Sequence, residues 1–410
     1  MPSTRPYPGT TSATGNEHAV DAPPVVPTVC VVGPGRRFLS GITYHTYLLA
    51  DALSTHTTTS VIFLRQLLPT RLYPGASRVG ADLTHLRLAP AVARFDGIDW
   101  FWLPSLLRAV WFLHRQRPDV VVLQWWTSTA LHTYVALSLV ARALGASIVV
   151  ELHEIVDVGE AERPVVRWYS KLAGPLLFRR ADRIIVHSGA DRESMGRHYR
   201  LPPERIDVVP LPAVSTFRHG EVRRPCPAES HNLLYFGVIR SYKGVVDLLD
   251  AYESLPDDVA EQLWLTVVGE VWEGYTLPAE RIARSPRRDR ITFVDRFIPD
   301  EEVDAWFGGA DAVVLPYRRS SMSGPLHVAM SYGLPVITTA VGGLPEAVVG
   351  YDGALLVPPA DPSSLAAALE KVISLRGERF LAPDHRRDPA AGTLRTVSLA
   401  HAQHSKTRTA

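Results

Sequence analysis

Four short segments combine residue types that can do chemistry. Gly237-Val-Ile-Arg240-Ser-Tyr-Lys243-Gly244 sets two cations three residues apart in a turn bounded by glycines. A guanidinium and an ammonium so placed can hold a phosphate, with Gly237 letting it approach the backbone; the alternative is two solvated basic residues. Leu315-Pro-Tyr-Arg-Arg-Ser320-Ser-Met-Ser323-Gly324-Pro325 is a small-residue loop opening a helix. Backbone donors at such a start suit a diphosphate, unless Ser323 is only an N-cap. Glu151-Leu-His153-Glu154 closes an apolar run; His153 there either meets a reacting sugar or is structural. Gly33-Pro-Gly35 leads to Ser40-Gly41, but no third glycine follows at the spacing of a dinucleotide fingerprint.

These loops need strands to carry them. Thr28–Gly33, Ser60–Leu64, Asp119–Gln124, Ser147–Leu152 and Arg183–His187 are continuous apolar runs, as are Leu233–Phe236, Leu263–Val268, Ile291–Val294, Ala312–Leu315 and Pro335–Thr338. Unbroken rather than alternating runs mark parallel strands covered on both faces. Between them Ile42–Leu53, Leu103–His114, Thr129–Leu144, Val165–Arg180, Val245–Leu255, Asp300–Phe307, Pro325–Tyr332 and Pro362–Leu375 have helical spacing. Strand–helix alternation twice over predicts two doubly wound, Rossmann-like α/β domains with a ligand cleft between them. The expected division is a disordered tail over 1–27, a first domain over 28–212, a linker over 213–231, a second domain over 232–375, and an atypical, disordered tail over 376–410.

Composition narrows the class. With 410 residues, 46% apolar and 21% charged, the chain is neither disordered nor a disulfide scaffold. A net charge of +1 offers nucleic acid no electrostatic footprint. Cys30 and Cys226 are expected to be reduced thiols of a cytoplasmic protein, and residues 1–27 lack the apolar core of a secretory signal. No Cys/His cluster has zinc spacing. Only four of the 43 basic residues are lysines, which draws attention to Lys243. Trp100–Arg115 is apolar, aromatic and edged by arginine; it is either a packing helix or one that lies at a membrane interface.

Gly309-Ala-Asp311 through Pro316-Tyr317, Ala329-Met330 through Pro335-Val336-Ile-Thr338, Gly342-Gly343-Leu-Pro-Glu346, Gly353 through Pro358 and Asp361 through Ala366 follow one another in order. With Gly237–Gly244, they resemble the retaining glycosyltransferases of family 4, which have the GT-B fold, over about residues 28–375. The chain departs from that pattern at the paired glutamates of many members, where Ser320 and Val328 stand; it is similar to a branch lacking the pair. It also carries no Asp-x-Asp, the metal-holding motif of the other major glycosyltransferase architecture.

The resemblance implies a metal-independent transfer of sugar from a nucleotide-diphospho-sugar to an acceptor hydroxyl, with retention and no further cofactor. Arg240 and Lys243 are expected to neutralise the departing diphosphate and His153 to lie near the transferred sugar. Gly41, Gly237, Ser323, Gly324 and Glu346 are expected to hold the donor, unless Glu346 only caps its own turn. The acceptor, a glycan, lipid-linked or small molecule, is left unidentified. A non-catalytic partner of an active transferase and a sugar-nucleotide epimerase are the alternatives.

Overall fold

The computed structural model describes residues 26–36, 41–66, 86–99, 102–154, 164–213, 221–272, 274–383 and 388–409. The N-terminal tail through residue 25 and residues 214–220 of the expected linker lie outside them. The first unit contains β1 (Val29–Pro34), α1 (Gly41–Ser54), β2 (Thr59–Leu64), β3 (Ala93–Ile98), α2 (Trp102–Gln116), β4 (Val120–Trp125), α3 (Leu131–Ala143), β5 (Ser147–Leu152), α4 (Pro164–Phe178), β6 (Arg183–Val186), α5 (Gly189–Tyr199) and β7 (Ile206–Val208). The second contains β8 (His231–Phe236), α6 (Val245–Glu253), α7 (Asp257–Ala260), β9 (Leu263–Val268), α8 (Leu277–Arg284), β10 (Ile291–Val294), α9 (Asp300–Gly308), β11 (Ala312–Leu315), α10 (Gly324–Ser331), β12 (Val336–Thr339), α11 (Leu344–Ala347), β13 (Ala354–Val357) and α12 (Pro362–Val372). A last helix, α13, spans Ala391–Thr409.

The strands form two parallel sheets, in the orders β3-β2-β1-β4-β5-β6-β7 and β10-β9-β8-β11-β12-β13. Alternate residues of the central strands feed opposite cores. In the first sheet Cys30, Val32, Val121, Leu123, Ile148 and Val150 pack under α2, α3 and α4. Val29, Val31, Val61, Val120, Val122 and Val149 pack on the other face, with Tyr47, Leu49 and Leu53 of α1. Each sheet reverses its order once, between β1 and β4 and between β8 and β11. At such a switch point the flanking loops diverge and leave a crevice beyond the carboxyl ends of the strands.

The tail beyond residue 375 corrects the expectation of disorder. The Phe380 N–H donates to Gly333 O at 2.9 Å, and its ring stands 6.0 Å from that of Tyr351. α13 then returns to the first sheet, where Ala390, Val397 and Ala400 are fully buried beside Val149 and Ile185. Ala400 O accepts from Ser147 Oγ at 3.3 Å. Its contact face is built from small residues, including Thr393 and Thr396. It therefore fits closely without the large apolar stripe that betrays a packing helix in a sequence.

Candidate active site

The loops of the second switch point make one wall. β8 ends at Phe236, and Gly237 turns the chain at φ +127°, a conformation that strains any residue with a Cβ. A short turn over Ser241–Lys243 leads to Gly244, which starts α6 at φ +70°. A Cβ on Gly244 would stand 1.8 Å from Pro316 O, so the loops after β8 and β11 are pressed together. This brings the Lys243 ammonium to 3.8 Å from the centre of the Tyr317 ring. The Arg240 guanidinium lies over the Trp272 ring at 4.5 Å. Aromatic faces flank both cations. Burial pulls the Lys243 pKa down to about 8; Arg240 adds to the fall, and Glu154 of the first domain opposes it.

Ser323 is buried, and its hydroxyl donates to Tyr317 Oη at 3.3 Å while accepting from Leu326 N–H. It is an N-cap, one of the two roles the sequence left open, and it fixes the start of α10. A Cβ on Gly324 would meet nothing within 4 Å, so the helix entrance is open to a ligand. Arg240, Lys243, Gly237, Ser323 and Gly324 thus share one crevice edge.

The facing wall belongs to the first sheet. Gln124 and Glu151 are register partners on β4 and β5, and Gln124 Nε2 donates to Glu151 Oε2 at 3.4 Å. His45 of α1 donates from Nε2 to Glu151 Oε1 at 2.8 Å. His187, just beyond β6, donates from Nδ1 to Val209 O at 2.9 Å. Its Nε2 is then the acceptor for His153 Nδ1 at 3.3 Å. This relay fixes His153 with a lone pair on Nε2, an atom left without a hydrogen-bond partner. Burial, with the neighbouring imidazoles adding, pushes His153 well below its ordinary pKa, and burial takes His187 to about 4. Burial also works against the Glu151 charge, yet the three imidazoles hold its carboxyl down at about 2. Donor atoms of His45, Glu151 and His153 lie within 4.8 Å of one another, close enough for one divalent ion to bridge. Sequence reasoning missed His45, Gln124 and His187 as members of the site.

Two further residues expected to hold the donor, Glu346 and Gly41, lie where the domains meet. Glu346 accepts from the Gly189 and Ala190 N–H groups at 2.6 and 3.0 Å, closing one domain on the other at the start of α5. Gly41 opens α1 and lines a cavity of about 260 Å³ between the domains, with His45, Phe236, Phe297, Gly324 and Val328.

Residues 40–212 match the family model described as a glycosyl transferase 4-like domain, and residues 230–374 match that of glycosyl transferases group 1. The two matches meet near the break between the sheets. The chain belongs to the family 4 glycosyltransferases, with the GT-B fold. Among family relatives, the D-inositol 3-phosphate glycosyltransferase of Streptomyces scabiei is 27% identical over 82% of this chain and 79% of its own. That of Streptomyces bingchenggensis is 29% identical over 47% of this chain and 45% of its own, so this match spans less than half of that relative. Among solved GT-B structures, sucrose-phosphate synthase from Thermosynechococcus elongatus superposes with a TM-score of 0.60 at 16% identity, covering 93% of this chain and 98% of its own. Anabaena HepE, solved with UDP and glucose, gives 0.59 at 16% identity, covering 94% of this chain and 100% of its own.

Proposed function

We propose that this glycosyltransferase moves a sugar from a nucleotide-diphospho-sugar to an acceptor hydroxyl with retention, and without a metal ion. The observation that carries the reading is the Lys243–Tyr317–Ser323 contact at the switch point of the second sheet. The bond between the anomeric carbon and the phosphate oxygen breaks, and the nucleoside diphosphate leaves with the electron pair. The acceptor oxygen bonds the anomeric carbon on the same face and passes its proton to the departing phosphate oxygen. Lys243 and Arg240 meet the charge that grows on the departing phosphates, where fixed charges count most. The open backbone at Gly324 takes a phosphate oxygen at a helix start. His153 Nε2 accepts from a sugar hydroxyl. The reading places the enzyme in the cytoplasm, with no cofactor beyond the donor. HepE, solved with UDP and with UDP-glucose, supports a donor of this class.

A thermal-shift screen of nucleoside-diphosphate sugars tests donor binding, and a saturating donor should raise Tm by several degrees. The name of the relatives makes D-inositol 3-phosphate the first acceptor to try. Turnover should persist in excess chelator, and the product anomer, read by NMR coupling, should match the donor. Activity lost to chelator and restored by a divalent ion would overturn metal independence and point to His45, Glu151 and His153. A rearranged sugar formed from donor alone would favour an epimerase.

A further inference from the structure

The helices on one face of the first sheet carry an unusual outer surface. α3 lies between α2 and α4 and touches both. Their inner sides fill the core with Leu106, Leu113, Tyr134, Leu137 and Phe178. Their outer sides expose large apolar residues in register. Leu103, Leu107 and Trp111 stand four apart along α2, and Trp168, Leu172 and Leu176 stand four apart along α4. All six are 48–66% exposed, and Leu139 of α3, between the two rows, is 50% exposed. Single exposed leucines are ordinary, but two apolar ridges on the helices flanking α3, with Leu139 between them, form a patch that needs a partner.

Charge selects the partner. The chain as a whole balances 43 basic against 42 acidic residues. Yet α2, α3 and α4 contain no Asp or Glu, while carrying Arg108, Arg115, Arg142, Arg167 and Lys171 in sequence. Arg108 and Arg115 are exposed beside the α2 ridge, with Arg115 stacked 5.6 Å from the Trp111 ring. Arg179 and Arg180 are exposed just beyond the end of α4. Apolar ridges with tryptophan, with Arg108, Arg115, Arg179 and Arg180 exposed along or beyond them, match the acyl–headgroup boundary of an anionic bilayer. A self-complementary interface would instead need acids to meet these arginines. No described helix is long and apolar enough to cross a membrane, so such contact would be peripheral.

We propose that the α2–α3–α4 face seats the protein on an anionic lipid surface, with the Leu and Trp ridges in the acyl boundary and the arginines against headgroups. The sequence singled out only the α2 segment; the fold adds a second ridge across α3 from it. All three helices follow strands of the first sheet and so start at its carboxyl edge. The patch therefore begins at the rim of the cleft. The proposal does not depend on the catalytic reading.

The test is flotation of the full chain with phosphatidylcholine vesicles and with phosphatidylcholine–phosphatidylglycerol vesicles, at low and high salt. The protein should float with the anionic vesicles at low salt and be partly released by salt. Leu107→Glu with Trp111→Glu, and separately Trp168→Glu with Leu172→Glu, should cut partitioning roughly tenfold or more, with melting curves near wild type because these positions are exposed. Arg108→Ala with Arg115→Ala should remove much of the salt-sensitive part. Wild-type protein that stays at the bottom with anionic vesicles overturns the proposal, as does binding that survives all three variants. So does a solution dimer that the glutamate variants dissolve while vesicles retain nothing.

Discussion

Glu346 of the second domain grips the backbone of the first: its Oε2 accepts from the Gly189 N–H at 2.6 Å. The Ala190 N–H adds a second bond at 3.0 Å. A carboxylate at a helix start gains from both hydrogen bonds and the helix dipole. Glu346→Ala should weaken the closed state by roughly 1–2 kcal/mol, shifting the open-to-closed ratio about five- to thirty-fold. Small-angle scattering should show a larger radius of gyration, with Glu346→Gln between the two. An unchanged scattering curve for the alanine variant would show that closure rests on other contacts.

Lys243→Ala should lower kcat by about 10²–10³, the loss typical of one preorganised donor, or roughly 2.7–4 kcal/mol. Tm should hardly move, because the side chain is half-buried and is held by the faces of Tyr317 and Tyr242. Lys243→Arg should recover only part of the rate, since a planar fork does not fill the place of an ammonium over a ring. Wild-type turnover in the alanine variant would remove the lysine from the mechanism. A collapsed Tm would make it structural.

Lys243 also sets a pH window. Its folded pKa of about 8 means that the charge the diphosphate needs is present near neutrality and is lost as pH rises. Donor Kd, measured by calorimetry, should therefore increase from about pH 7 to about pH 9, approaching tenfold per unit once the lysine is neutral. The arginine variant should flatten that slope. A wild-type slope as flat as the variant's would rule out Lys243 as the titrating group.

The histidine relay makes a separate prediction for stability. His187 is lowered from 6.5 to about 4, so the unfolded chain takes up a proton before the folded one does. The stability is full above about pH 6.5 and is lost as pH falls toward about 4, amounting to about 3 kcal/mol. His153 acts in the same direction. Glu151, held at about 2, adds a further loss below its ordinary 4.5. Tm followed by calorimetry should fall through this window. His187→Asn, which keeps a donor for Val209 O, should fall less steeply.

The central strands were legible because burial on both faces leaves only apolar residues, as in Val120-Val-Val-Leu123. β3 was not: at the sheet edge it alternates exposed Arg94 and Asp96 with half-buried neighbours and contains Gly97. α5 also escaped, having little amphipathic contrast over Gly189–Tyr199. The phosphate-side loops were visible because each directly follows a strand. His187 follows β6 much as His153 follows β5, and comparing neighbouring strand ends would have paired them. His45 carried no such mark; only the packing of α1 over β1 brings it to Glu151.

The return of α13 to the first sheet has a consequence for synthesis. Ala390, Leu394, Val397 and Ala400 complete a core whose other members precede residue 210, yet the ribosome makes the whole second domain in between. At roughly 5–20 residues per second, one side of β4, β5 and β6 waits on the order of ten to forty seconds for its cover. During that interval Val149 and Ile185 are short of their final neighbours, and the nascent first domain is a natural client for a holdase chaperone.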